Sequence, residues 1–180
     1  MIKKILISLA AIIVIFIIVV ALRPADFRVE RSATIAAPAM VLFEQVNDHH
    51  KFVAWNPFMQ LDPNMKNTFS GPDSGVGAMC SWDGNKDVGA GSATIVESKP
   101  GELVRERMDW KRPMEGVATV DFTFKPDGDK TVVTWAMYGK NGFMGKLMSL
   151  FMDCDKMIGP RFEQGLADLG KLTTSTQVAK

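Results

Sequence analysis

The sequence predicts an α+β domain, an antiparallel sheet with one long C-terminal helix, preceded by an apolar N-terminal helix. Three observations carry this. An unbroken apolar run opens the chain, alternating segments punctuated by Gly, Pro and Asp fill its middle, and the end repeats apolar residues three or four apart with no strand signal. At 180 residues the chain has the length of one domain, and 21 Lys plus Arg balance 20 Asp plus Glu. Residues 1 to 23 hold three of the basic residues (Lys3, Lys4, Arg23) and no acidic one, leaving 18 against 20 in the rest. Such a chain has no strong field to gather phosphates, which excludes a basic nucleic-acid binder.

Ile5 to Leu22 is 18 residues without a charge, Ser8 being its only polar member. As a helix rising ~1.5 Å per residue it spans ~27 Å, close to the ~30 Å hydrocarbon core of a bilayer. The expectation is a single-pass membrane anchor over residues 1 to 23 and a short linker over 24 to 26. A cleaved signal peptide is the rival, since Val19 and Ala21 are small enough to precede a cut. Against it, the run exceeds the usual ~7–15 residues and no polar stretch precedes such a site. No cysteine is near enough to be lipidated, the first being Cys80. Lys3, Lys4 and the α-amine nearly balance Arg23, Arg28 and Arg31, but the last two belong to the folded domain and escape the positive-inside rule. This favours a cytoplasmic N-terminus and a domain on the outer, periplasm-like face of the inner or plasma membrane. Pro24-Ala25-Asp26 holds that domain within about 10–15 Å of the bilayer. So short a tether suits a protein that handles something in or on the membrane, although any anchored domain needs a linker.

Phe27-Arg28-Val29-Glu30-Arg31 alternates and runs into Ala33-Thr34-Ile35, a strand. Pro38 opens a short helix through Met40, Leu42, Phe43 and Val46. His49-His50 and a Trp55-Asn56-Pro57 turn follow. Six strand candidates come next: Lys66 to Ser70, Val76 to Trp82, Gly89 to Glu97, Leu103 to Trp110, Val117 to Phe124 and Thr131 to Tyr138. Pro126-Asp127-Gly128-Asp129 makes a hairpin loop between the last two. After Asn141-Gly142, a helix start, Leu147, Phe151, Cys154, Ile158, Phe162, Leu166, Leu169 and Leu172 describe one helix of about 25 residues with a continuous buried face. Gly159-Pro160 is the expected place for a kink. Short-linked strands and a long helix give a domain of about 145 residues, and Thr173 to Lys180 reads as a flexible tail.

Several strings carry a further reading. Gly77-Ala78, Trp82-Asp83-Gly84-Asn85, Val88-Gly89-Ala90-Gly91, Pro100-Gly101-Glu102, Thr131 to Met137, Asn141-Gly142-Phe143, Met152-Asp153 to Gly159 and Phe162-Glu163-Gln164-Gly165-Leu166 resemble the polyketide cyclase/dehydrase branch of the START-like, or SRPBCC, superfamily across residues 27 to 172. The resemblance implies a helix-grip fold, in which a curved seven-stranded antiparallel sheet wraps the C-terminal helix and encloses a cavity for lipids or other hydrophobic ligands. No cofactor is expected, and the resemblance carries over no catalytic residue because the family shares no universal catalytic set.

Alternation puts Val120, Phe122 and Phe124 on one face of their strand, and likewise Val133, Trp135 and Met137; Val76, Ala78, Cys80 and Trp82 form a third row, Val104, Met108 and Trp110 a fourth. Such rows line a pocket or fill a core. The twelve methionines favour a surface that accepts varied apolar partners. Met144, Met148 and Met152 make the start of the last helix apolar nearly all round, so it is buried, gates a cavity, touches lipid or, with less support, binds a soft metal. The expected lining is Trp82, Met108, Trp110, Phe122, Trp135, Met137, Met148 and Phe151.

Glu106 alternates with Val104, Met108 and Trp110 and is the one weak catalytic candidate: an inward carboxylate can hold a ligand's polar head or move a proton. Its bland alternative is an outward pairing with Arg105 or Arg107, or a bulge that turns it out. His49-His50 lacks a third ligand at metal spacing and reads as a solvated loop, so no metal site is expected. No nucleophile elbow or Cys-His pair appears. Cys80 and Cys154 can pair in an oxidising compartment, or both fit as buried apolar residues. Three functions fit: a membrane-anchored module binding a hydrophobic molecule or lipid, a cyclase-, dehydratase- or hydrolase-like enzyme using a cavity carboxylate, and an interaction module with a filled cavity.

Overall fold

The computed structural model describes residues 2–178. It opens with α1 (Ile2–Ala21), which, among the described residues, is the helix long and apolar enough to cross a membrane, with a mean hydropathy of 3.1 over 18 residues. Strand β1 (Asp26–Ile35) follows, then α2 (Ala39–Asn47) and α3 (His49–Trp55). Asp48 separates the two helices and caps the second, its carboxylate accepting from the His50 amide. A 3-10 turn, Pro57–Leu61, is capped in the same way by Asn56.

The remaining strands are β2 (Lys66–Ser70), β3 (Met79–Asp83), β4 (Ala90–Lys99), β5 (Leu103–Arg112), β6 (Gly116–Asp127) and β7 (Lys130–Lys140). They make one antiparallel sheet in the order β1-β7-β6-β5-β4-β3-β2, an open helix-grip architecture in which short hairpins join neighbours and only β1 crosses to the far side. Every strand expected from alternation forms. The third starts at Met79 rather than Val76, because Gly71, Gly75 and Gly77 all take positive φ and turn the chain between β2 and β3, leaving Val76 exposed. At Gly71 a side chain is excluded outright: a Cβ there would run into the Gly77 carbonyl.

The C-terminal helix divides where none was expected. Helix α4 (Phe143–Met148) ends, and α5 (Cys154–Val178) begins under the Asp153 carboxylate, which accepts from the Asp155 and Lys156 amides. Gly159-Pro160, the expected kink, lies inside α5 without ending it. The helix also outruns its expected end at Leu172: Thr173 is buried and its hydroxyl donates to the Leu169 carbonyl, while residues 179 and 180 of the expected tail lie outside the described residues.

Helix α5 lies across β1 and close to the sheet. Arg31 on β1 fastens it, its guanidinium donating to Asp155 and Glu163 on either side of Gly159, where a Cβ would collide with that guanidinium. The bond to Arg31 holds the Asp155 carboxyl below its ordinary range. Further along, Trp135 stacks on Phe162 with centroids 4.1 Å apart and planes 9° from parallel. A Cβ at Gly165 would stand 2.6 Å from the Trp135 ring and 3.0 Å from Pro57. Phe52, Trp55, Phe58 and Phe122 surround this stack edge-on or tilted, so the space between helix and sheet is filled with rings. Gly165→Val forces a branched side chain against these rings and lowers stability by about 2–3 kcal/mol, whereas Gly142→Ala, whose methyl meets open space, shifts it by less than about 0.5 kcal/mol. Denaturant unfolding of the detergent-solubilised chain measures both.

Candidate functional site

Sheet register places Glu106 in a row of inward side chains. Ile95, Glu106, Val120, Met137 and Val29 are successive cross-strand partners on β4, β5, β6, β7 and β1. Four of the five are apolar and all are buried, so the carboxylate sits in the core face of the sheet. Its neighbours Arg105 and Arg107 point the other way. Arg105 binds Asp121 and Glu97, Arg107 binds Asp109, and neither reaches Glu106. The β4–β5 ladder does shift register between Ile95 and Glu97, but the irregularity lies on the β4 side and leaves Glu106 turned inward.

The partner of Glu106 is His49, from the first turn of α3. Nε2 lies 2.9 Å from Glu106 Oε1, and both side chains are 2% exposed. The expectation of a solvated His49-His50 loop fails for His49 and holds in part for His50: Asp48 starts a helix here, which turns His49 into the core, while His50 stays exposed with its ring against Phe69 at 4.0 Å between centroids. The other ring nitrogen of His49, Nδ1, is buried and has no hydrogen-bond partner; the same holds for Trp135 Nε1. Cys80, buried beside this pair, has its thiol pushed up to about 11, first by desolvation and second by the Glu106 carboxylate.

His49 also walls a cavity of about 230 Å³, together with His50, Phe69, Ser70, Gly71, Pro72, Asp73, Ala78 and Met79. The turn between β2 and β3 shapes it. Asn47 holds that turn, its carbonyl accepting from the Gly75 amide while its side chain accepts from the Ser98 hydroxyl. Polar and apolar side chains both line the recess, and an imidazole braced by a carboxylate, with its second ring nitrogen free of partners, can accept a hydrogen bond or move a proton.

The expected lining residues divide into groups. Phe122, Trp135 and Met137 are buried in the core, and Met108 and Trp110 are half-buried against it. Trp82 is half-buried and donates to the Val88 carbonyl; it faces Gly91, whose lack of a side chain makes room for its ring. Met148 is half-buried on α4. Phe151 stands outside the interior: the break between α4 and α5 takes it off the helical face and exposes it. None of these eight lines the cavity at His49. Cys80 and Cys154 are both free, and Cys154 is exposed rather than buried. His49 escaped the sequence reading because its partner lies 57 residues away; the usable signal was Asp48 as a helix cap, which fixes where His49 points.

A family model described as polyketide cyclase/dehydrase and lipid transport matches residues 26–173. No curated protein matches the chain. Among solved structures, a norcoclaurine synthase point mutant from Thalictrum, in complex with a transition-state analogue, is similar at a TM-score of 0.61 and 14% identity, covering 87% of this chain and 99% of that one. A structural-genomics protein from Chromobacterium violaceum is similar at 0.58 and 15%, covering 84% and 98%. A major latex-like protein from Panax ginseng is similar at 0.56 and 13%, covering 83% and 98%. At these identities the structures share a fold with the chain.

Two measurements bear on the His49–Glu106 pair. Removing either partner alone, as His49→Phe or Glu106→Leu, strands a buried polar group and costs about 1–3 kcal/mol, while the double variant loses less than the sum of the two. A double-mutant cycle in denaturant shows whether the residues couple. Thiol titration of the native chain at pH 8 modifies Cys154 alone, because the Cys80 thiol stays buried and protonated until the pH approaches about 11; unfolding exposes both.

Proposed function

The chain belongs to the polyketide cyclase/dehydrase and lipid transport family, and on that premise we propose that it is a membrane-anchored module that binds a hydrophobic small molecule or lipid by its polar end at His49. One observation carries the reading: His49, a residue that lines the recess, keeps a buried ring nitrogen, Nδ1, without a partner. A volume of about 230 Å³ is below the ~300–1,000 Å³ of pockets that engulf a drug-sized ligand. It admits one end of a molecule. Phe69, Pro72, Ala78 and Met79 give that end apolar contact. The inward rings and thioethers behind it, Met108, Trp110, Phe122, Trp135 and Met137, are the surface along which an apolar chain extends if it enters further, with Trp82 and Met148 at the margins.

In the same reading α1 is retained as the anchor, with the N-terminus cytoplasmic and the domain on the outer face. Retention is supported by the length and hydropathy of α1 and the absence of a polar stretch before any cleavage site, and the orientation by Lys3 and Lys4 at the start of α1, with Arg28 and Arg31 part of the folded domain. A membrane-impermeant maleimide then labels the exposed Cys154 on intact spheroplasts; labelling only after lysis reverses the orientation.

A second reading is favoured by the pair itself. An imidazole oriented by a carboxylate is an arrangement that general acid–base catalysis uses, and a bound molecule with a labile proton at Nδ1 is a candidate substrate. One experiment tests both. The full chain is purified from its own host into nanodiscs, weighed by native mass spectrometry and extracted with solvent. Binding predicts an apolar molecule near one-to-one, reduced about tenfold in Met79→Trp, which narrows the recess without touching the pair. An extract that is empty, or the same in both proteins, defeats the binding reading. Catalysis predicts that Glu106→Gln carries a chemically different molecule from the native chain, its unconverted substrate; identical extracts leave binding alone.

A further inference from the structure

The segment joining β7 to α5 exposes more apolar surface than folding accounts for. Within residues 143 to 157, Phe143 is 51% exposed, Met144 54%, Phe151 76%, Met152 38% and Met157 54%, and α4 buries none of its own residues. Single exposed apolar side chains are ordinary, but five large ones within fifteen positions mark a surface with a partner.

Its position identifies that partner. Lys146 on α4 donates through Nζ to the carbonyl of Ala21, the last residue of α1, at 3.0 Å, and the Asn141 amide donates to the Ala25 carbonyl at 2.8 Å. The two bonds hold α4 against the end of α1, where Val20 is fully buried. Twenty residues of α1 rise ~30 Å, the thickness of the hydrocarbon core, so that end lies where acyl chains give way to headgroups. Arg23 and the exposed Lys140 flank the same place. The acidic side chains of the segment are engaged within the protein, Asp153 in capping α5 and facing Lys156, Asp155 in binding Arg31.

We infer that α4 and the turn after it lie in the interfacial layer of the bilayer that holds α1, with Phe143, Met144, Phe151 and Met152 among the upper acyl chains and Arg23 and Lys140 at the headgroups. The apolar rim continues the membrane-embedded surface of α1, so lipid covers both. The inference rests on α1 being a retained anchor.

The test uses the full chain in vesicles of phosphatidylcholine and phosphatidylglycerol. In a Cys154→Ser background, with Cys80 buried and silent, an environment-sensitive fluorophore is placed at Phe151→Cys, at Ile12→Cys in mid-α1, or at Val96→Cys, an exposed position on β4 three strands from β7. Phe151→Cys is expected to be quenched by lipid carrying a nitroxide at carbon 5 roughly threefold or more beyond Val96→Cys, and Ile12→Cys by a nitroxide at carbon 12. Quenching at Ile12 with Phe151 matching Val96 keeps the anchor and overturns the interfacial placement. Shielding of Phe151 from aqueous iodide without lipid quenching overturns it too, in favour of a second copy or another protein. A mid-α1 label in water overturns the anchor and the placement together.

Discussion

The nearness of α5 to the sheet is the constraint from which the rest of the interior follows. Trp135 and Phe162 stack face to face, and Gly165 is the size it is because the same ring fills the place of its side chain. Arg31 then clamps the first turns of the helix through two carboxylates astride Gly159. With the helix drawn in at both points, six rings occupy the volume that a wider helix-grip domain would leave open. The recess lies instead toward β2 and β3, where α3, the glycine-rich turn and the edge of the sheet meet. Packing thus decides where a molecule can enter.

Stability alone does not call for the His49–Glu106 pair. Burying two polar groups costs desolvation, and two well-packed apolar side chains of similar size serve a core at least as well. The pair also leaves Nδ1 without a partner, and the Cys80 thiol is raised first by its burial and second by the Glu106 carboxylate, two further departures from a quiet core. Local consistency elsewhere in the sheet is high, with alternating faces and outward charges matched across strands as in Arg105 with Asp121. A site that breaks the pattern of an otherwise consistent fold is where function is expected.

Much of this was legible in the chain. Period-two alternation gave every strand and turned Glu106 inward, because side-chain direction along a strand is fixed by the pleat. The helix face from Ile158 to Leu172 was equally readable. The division at residues 149 to 153 was missed because Leu147, Phe151 and Cys154 keep helical spacing across it, and the Asp153 cap that restarts the helix is a weaker signal than Gly159-Pro160. Phe151 reads as interior for the same reason. His49 was hidden by distance in sequence, and the crowding of rings beneath α5 depends on how closely two elements approach, which periodicity does not encode.

Two hydrogen bonds and a four-residue connection hold the end of α1 to the domain. On the anchored reading the domain has almost no freedom to swivel, so its recess keeps one azimuth and one height relative to the plane of the membrane. Encounters then become a two-dimensional problem. The rate at which the site meets cargo scales with surface density and lateral diffusion rather than with bulk concentration, and a soluble carrier exchanges with it only by first adsorbing to the same leaflet.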